Sequence, residues 1–579
     1  MIKLLRFLKP YQSLLVLILV LAIAQSTANL YLPNLMSDIV NNGIARFNTN
    51  YIQRTGVIMV LVAIGGALCT VVGTFFAAQV ATNMIKTIRA ALFRKVQHFS
   101  LHEFDTISTA SLITRTTNDT TQVQQLMVMS LTMLITAPIT LVVGIIMALR
   151  QDVGLSWILV VIMPILIGVV VILLIQAVPL FTAMQAKLDR LNLILDENLT
   201  GVRVIRAFNR IKHEEQRFDV ANLDVTNLAI RVNRLVAVMM PVMMLMINLS
   251  TVAIIWFGSE RVGHGTLQIG AMFAFMQYAI QILFSLLMVA LLFIMIPRAE
   301  ASANRINEVL EMEPEITDPK DVKQATQIRG YVEFQDVTFS YHGAETPALS
   351  NITFCATPGK VTAIIGGTGA GKSTLVNLIP RFYDVGSGRI LVDGVETREM
   401  AQEDLRAKIG FVPQKAVLFA GTIKENLRYG KEDATDDEIK HAADVAQATE
   451  FISQMPDKFD SPIAQGGTNV SGGQMQRLSI ARALIRKPEI YVFDDTFSAL
   501  DFKTDAKLRA ALKMETRTAT VLIVAQRVST VMDADQIIVL DEGRVAGIGI
   551  HKNLMKTCDV YSGIVSSQLS ATEIAEETA

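Results

Sequence analysis

Six stretches of this chain contain no Asp, Glu, Lys or Arg: residues 10–37, 55–85, 120–149, 153–186, 235–259 and 262–297. Each exceeds the ~20 residues an α-helix needs to cross a bilayer. Six transmembrane helices are therefore expected. Composition agrees, since 51% of the 579 residues are hydrophobic and only 18% are charged. Ala22-Ile23-Ala24 resembles a cleavage site, but the apolar run continues beyond it and five more follow, so the first run reads as a retained span.

Lys and Arg orient these spans. Lys3, Arg6 and Lys9 precede the first span. Lys86, Arg89, Arg94, Lys95 and Arg115 follow the second, and Lys187, Arg190, Arg203, Arg206, Arg210, Lys212 and Arg217 follow the fourth. The remaining loops are short and offer little beyond Arg46, Arg150 and Arg261. The positive-inside bias puts both termini and both long loops in the cytoplasm of a multi-pass protein of the cytoplasmic (inner) membrane. A formal net charge of −1 without a basic stripe argues against nucleic acid as a partner. Cys69, Cys355 and Cys558 have no metal-site spacing. His98 and His102, four apart on an expected helix, lack a third ligand and read as a solvated face.

Beyond residue 298 the chain reads as an α/β domain. The apolar strand at residues 361–365 leads into Gly366-Gly367-Thr368-Gly369-Ala370-Gly371-Lys372-Ser373, which fits G-x-x-x-x-G-K-[ST] and is followed by Thr374. Glycines there let backbone N–H groups close around phosphates, and the following helix adds its positive end. Lys372 should reach the β- and γ-phosphates of ATP, and Ser373 should ligate Mg²⁺. A second apolar strand ends in Asp494, placed to hold the metal.

The residues between these two strands carry a resemblance. Ser471-Gly472-Gly473-Gln474, continued by Gln476-Arg477-Leu478-Ser479, resembles the signature of ABC transporters. Tyr341 stands where that family stacks an aromatic on adenine, Gln414 where its Q-loop also meets Mg²⁺, and Ser498-Ala499-Leu500-Asp501 where its D-loop lies. Phe419 to Ile423 with Glu425-Asn426, and Arg115, Asn118, Asp119, Gly201 and Arg203 in the long loops, are similar to the exporter subgroup. The resemblance implies a polytopic α-helical membrane domain, six transmembrane helices with long cytoplasmic extensions, followed by an α/β P-loop nucleotide-binding domain. The expected division is an amphipathic elbow helix at 1–12, a transmembrane domain at 13–300, a linker at 301–328, a nucleotide-binding domain at 329–570 and a tail at 571–579. It further implies a half-transporter that works as a dimer, with the signature of one chain acting on ATP held by the other.

Three positions depart from the family pattern. Asp495 replaces the Glu that polarises the attacking water, and is shorter by roughly 1.3–1.5 Å. Gln526 replaces the switch His and cannot carry a proton and charge. Gln465 replaces an acidic residue just before the signature. This pattern resembles the degenerate-site subunit of heterodimeric bacterial multidrug ABC exporters, and implies a partner chain with an intact Glu and His. The expected substrates are small hydrophobic or amphiphilic compounds, with membrane lipid as a further partner. Lipid or peptide export, a sensor ATPase and a homodimeric exporter are the alternatives. Met239, Met240, Met243, Met244 and Met246 of the fifth span, and Met272, Met276, Met288 and Met295 of the sixth, suit an adaptable apolar surface. Asn248, Gln277 and Gln281 are the candidates for a substrate path.

Overall fold

The structure, a computed structural model, describes residues 1–324 and 329–569. Residues 325–328 of the expected linker, residue 570 and the expected tail 571–579 lie outside them. The chain forms two compact units, one of residues 1–97 and 109–312, the other of residues 98–108 and 313 onward.

The first unit contains, among the described residues, six helices long and apolar enough to cross a membrane. They are α1 (Gln12–Asp38), α2 (Thr49–Gln97), α3 (Thr109–Gln151), α4 (Ser156–Thr200), α5 (Ile211–Gly263) and α6 (Ile269–Glu311). α1 packs along α2, α4 along α5, and α6 along α3 and α1. Large apolar side chains such as Leu61, Val71, Val160 and Trp256 face outward, as a lipid-facing surface requires. Residues Ile2–Tyr11 form a 3-10 helix. Its start is tied to α6, with the Met1 amino group 2.8 Å from Glu300 and Lys3 paired with Glu311 at 2.7 Å.

The expected boundary at residue 300 falls inside a helix. Ala299, Ala303, Ile306 and Val309 are buried at helical spacing, so α6 keeps an apolar stripe as far as Glu311 and residues 301–311 are not linker. The same stretch binds a π-helical turn of α3 at Arg115–Asp119. Asp119 is fully buried and accepts hydrogen bonds from Ser302 Oγ at 2.9 Å and Arg305 Nε at 2.7 Å. Arg115 reaches Glu308 at 2.6 Å and the Arg305 carbonyl at 3.0 Å. A carboxylate removed from water needs such partners: its desolvation costs several kcal/mol, and removing one partner of a buried ion pair destabilises by ~3–5 kcal/mol.

The second unit holds two larger sheets. β1 (Val332–Phe339), β2 (Leu349–Ala356), β4 (Ser387–Val392) and β5 (Val395–Glu396) form an antiparallel sheet in the order β2-β1-β4-β5. The central sheet runs β12-β11-β3-β10-β9-β6. Its strands are β3 (Val361–Gly366), β6 (Ile409–Val412), β9 (Ile490–Asp494), β10 (Thr520–Val524), β11 (Gln536–Asp541) and β12 (Arg544–Gly549). All its pairs are parallel except β11 with β12. A short ladder, β7 (Gly421–Thr422) with β8 (Pro462–Ile463), stands apart. β3, β9 and β10 are buried along nearly their whole length, which is why they read as unbroken apolar runs rather than alternating ones. Parallel order brings the carboxyl ends of β3, β9 and β10 to one edge, where α/β sheets bind ligands.

His98 and His102 do not share a helix. α2 ends at Gln97 and a new helix, Leu101–Ile107, starts after Ser100. Glu103 closes the capping box by accepting from Ser100 N at 2.6 Å. Its other oxygen accepts from Glu315 N at 3.0 Å, and the His102 ring packs 4.8 Å from that of His342.

Candidate nucleotide site and membrane cavity

Gly366 is the last residue of β3, and Lys372 opens helix α7 (Lys372–Leu378). The loop between them can be built only with glycine at its ends. A Cβ on Gly366 would lie 2.2 Å from the Leu540 carbonyl oxygen of the neighbouring strand. Gly371 has φ +91° and its Cβ would meet Leu349 and the Ala348 carbonyl under 3 Å. Gly367, Thr368 and Gly369 are exposed, while Ala370 and Thr374 are buried and hold the loop on the sheet.

Lys372 Nζ donates to the carbonyls of Gly366 and Gly367 at 3.0 and 2.7 Å. Burial pushes its pKa down, opposed by Asp495 and Asp494. Ser373 Oγ donates to Asp494 Oδ1 at 2.9 Å. Burial raises the Asp494 carboxyl, opposed by that hydrogen bond, while Asp495 beside it raises it further. Hydroxyl and carboxylate oxygens at one point, beside a lysine, suit a hard cation carried with phosphates. Tyr341 presents a partly exposed ring, and its hydroxyl lies 3.0 Å from Thr374 Oγ1.

Asp495 has φ +45°, a left-handed backbone that turns its side chain back from the end of β9. Its N–H donates to the Val524 carbonyl at 3.0 Å. Gln414 Nε2 and Gln526 Nε2 both donate to Asp495 Oδ2, at 3.2 and 2.9 Å. Burial raises the Asp495 carboxyl, opposed first by Gln414. Two of the three departing positions, Asp495 and Gln526, thus meet the Q-loop Gln414 on one oxygen atom. From the D-loop, Ser498 Oγ donates to the Asp495 carbonyl at 2.8 Å, Leu500 is buried, and Asp501 caps helix α9 (Phe502–Glu515) through Thr504 N at 2.9 Å.

The signature residues stand elsewhere. Ser471 caps helix α8 (Gly472–Ile485), accepting from Gln474 N at 3.3 Å while Gln474 Oε1 accepts from Ser471 N at 2.9 Å. Ser471 and Gly472 are exposed, and Gly473 lies against the Ala499 carbonyl. Among the described residues, no hydrogen bond joins Ser471, Gly472 or Gly473 to the phosphate loop. Gln465 lies in a short 3-10 turn ahead of this helix. Sequence reasoning assigned no role to Gln476, which is buried and donates to the Gln414 carbonyl at 2.7 Å. Its place in the signature continuation was the available signal.

In the membrane unit a cavity of ≈ 720 Å³ is lined by residues of α1, α2, α3 and α6. Gln277 and Gln281 both face it, with Asn29 and four methionines, Met36, Met59, Met133 and Met288. No Asp, Glu, Lys or Arg is among its lining residues. Asn248 is not among them either; it is exposed on α5. The fifth-span methionines do not line it: Met240 and Met244 face outward, and Met243 is buried against other helices. α5 is apolar around most of its circumference at this depth, so sequence alone does not say which face turns inward.

Residues 15–286 match the family described as ABC transporter transmembrane region, and residues 349–498 match the family described as ABC transporter. An uncharacterized ABC transporter ATP-binding protein of Mycobacterium tuberculosis is 42% identical over 97% of both chains. A putative multidrug export ATP-binding/permease protein of Bacillus subtilis is 32% identical over 97% of this chain and 98% of its own. A solved bacterial Atm1-family ABC exporter with ATP bound shares the fold with a TM-score of 0.81, covering 98% of this chain and 99% of its own at 24% identity.

Proposed function

The chain belongs to the ABC transporter family, and on that premise we propose that it is one half of a heterodimeric exporter, supplying the Walker side of a slow ATP site and the signature side of a fast one. Asp495 carries the reading. A carboxylate held on one oxygen by two amides lacks the reach of Glu, the Gln526 amide on it cannot take up a proton as His would, and a placement error of about 1 Å can cost on the order of a hundredfold. Lys372, the loop amides, Ser373 and Asp494 remain suited to hold ATP. Mg²⁺ held by Ser373, Asp494 and Gln414 would neutralise phosphate charge there. Tyr341 offers its ring to adenine.

The signature side has no such defect. Ser471 and Gln474 close a complete capping box, and Gly472 presents open backbone to whatever approaches from outside the chain. A second chain with Glu and His at the corresponding positions would place its ATP there. The short helix Val202–Ala207 supports a second chain independently, because none of its residues is buried and the adjoining Phe208 is 75% exposed. An apolar surface of that kind in an extra-membrane loop fits the nucleotide-binding domain of a partner half.

The cavity points to cargo that is apolar with neutral hydrogen-bonding groups. Gln277, Gln281 and Asn29 orient without demanding a counter-charge, and the methionines adapt to varied shapes. The activity proposed is efflux of such amphiphiles across the cytoplasmic membrane, with termini and nucleotide domain inside, and it is supported by likeness to the Bacillus subtilis protein named for multidrug export. The test is co-expression with a second ABC half that carries Glu and His. The two chains should co-purify in equal amounts, hydrolyse ATP and accumulate a fluorescent dye in inside-out vesicles. This chain alone should bind ATP but turn it over poorly; robust dye-stimulated hydrolysis by the single chain would overturn the reading.

A further inference from the structure

The segment 525–527 follows β10 and carries Gln526 into the nucleotide site, yet it belongs to no strand or helix. Ala525 N donates to the Ile364 carbonyl at 3.1 Å, and Val528 opens a single helical turn, Val528–Val531. Gln526 therefore rests on irregular backbone whose polar groups need partners from outside regular structure. Arg527 Nη2 donates to the Ser498 carbonyl at 3.1 Å, and its guanidinium sits 5.7 Å from the Phe502 ring centroid. Those contacts hold the Arg527 side chain and leave the main chain on either side of it to be fixed.

The last residue of helix α10 (Asp559–Gln568) supplies that fixation. Gln568 Nε2 donates to the Gln526 carbonyl at 2.8 Å, and Gln568 Oε1 accepts from Val528 N at 2.8 Å. One side-chain amide thus pairs with two main-chain groups flanking Arg527, as an adjacent strand would. The helix behind it is anchored, with Tyr561 and Val565 buried and the Tyr561 hydroxyl 2.7 Å from His551 Nδ1.

We propose that Gln568 is a positioning residue of the nucleotide site: its amide fixes the main chain at Gln526 and Val528 and so sets where Gln526 meets Asp495. Only Gln serves both ends. Glu at this position keeps the acceptor for Val528 N but turns a second oxygen toward the Gln526 carbonyl, and Asn is one methylene short. The inference rests on the contacts of Gln526, not on the site being slow, and it holds equally for a fast one.

The test uses the full-length chain in its membrane complex, comparing Gln568→Ala and Gln568→Glu with the parent. Hydrogen exchange reads the backbone, and competition between ATP and ADP reads the site. In Gln568→Ala, exchange in a peptide spanning 526–530 should rise about fivefold, one neutral hydrogen bond's worth, with β10 and β11 unchanged. In Gln568→Glu that protection should largely remain. Both variants should lose about fivefold in preference for ATP over ADP, because the γ-phosphate side of the site is the part displaced. Unchanged exchange at 526–530 in Gln568→Ala, or an unchanged ATP preference in both variants, would overturn the proposal. So would a uniform rise in exchange across the nucleotide-binding domain, which would make Gln568 a folding residue.

Discussion

Gly472→Glu in this chain should reduce the ATPase activity of the assembled transporter by on the order of a hundredfold or more, while Asp495→Asn in the same chain leaves it near normal. The contrast follows from where the two residues face. A Cβ on Gly472 meets nothing within 4 Å, and the residue needs no left-handed backbone, so the chain itself accommodates a side chain there. Any loss must come from what approaches from outside. A glutamate would put bulk and negative charge where, on the proposed arrangement, a partner's γ-phosphate would meet the capped end of α8, and both effects oppose binding. Gly473 would be a poorer probe, because its Cβ would crowd the Ala499 carbonyl at 3.1 Å within the chain. Asp495→Asn removes a carboxylate from a site that is slow on this account and keeps Lys372, Ser373 and Asp494. Steady-state hydrolysis of the purified complex, with assembly checked by size exclusion, reads both variants. Comparable losses would mean that this chain's own Walker side does the work.

The converse replacement should restore speed. Asp495→Glu with Gln526→His should raise single-turnover hydrolysis at this chain's own site by on the order of a hundredfold. Gln526 spends its amide on Asp495 Oδ2 at 2.9 Å, so a histidine there inherits a carboxylate partner and adds a titratable nitrogen. The longer carboxylate reaches farther from the left-handed turn at Asp495 while Gln414 remains as an orienting donor. Each replacement alone should give much less, since reach and proton transfer act as a unit. No change in the double variant would remove Asp495 and Gln526 as the cause of slow turnover.

What could be read in advance had local causes. The phosphate loop was legible because a buried parallel strand, two glycines with no room for a Cβ and the lysine that follows occupy the consecutive positions 361–372. The six spans were legible because a charge in lipid is costly at almost any face. Contacts made far along the chain were not. Gln568 reaches Gln526 from 42 residues away with no motif around it. Outside α6, where Gln277 and Gln281 mark the cavity face, the inward faces of the membrane helices were equally hidden, because lipid and helix neighbours both select apolar side chains and the periodicity that marks a soluble helix is erased. Hence Met36, Met59 and Met133 line the cavity, while the methionine-rich fifth span, Asn248 included, does not. The continuation of α6 past residue 300 was obscured by Arg298, Glu300, Arg305 and Glu308, which alternate with its buried stripe and make it look like linker.

The most direct test of the asymmetry follows the fate of the γ-phosphate on each chain separately. A photoactivatable ATP analogue, labelled on the α- or the γ-phosphate, is bound to the heterodimer, allowed one turnover and cross-linked to the Walker site that holds it. This chain should retain both labels, because its site binds and does not cleave on that timescale, whereas the partner should retain the α label and lose the γ label. Equal loss of the γ label from both chains would contradict the account.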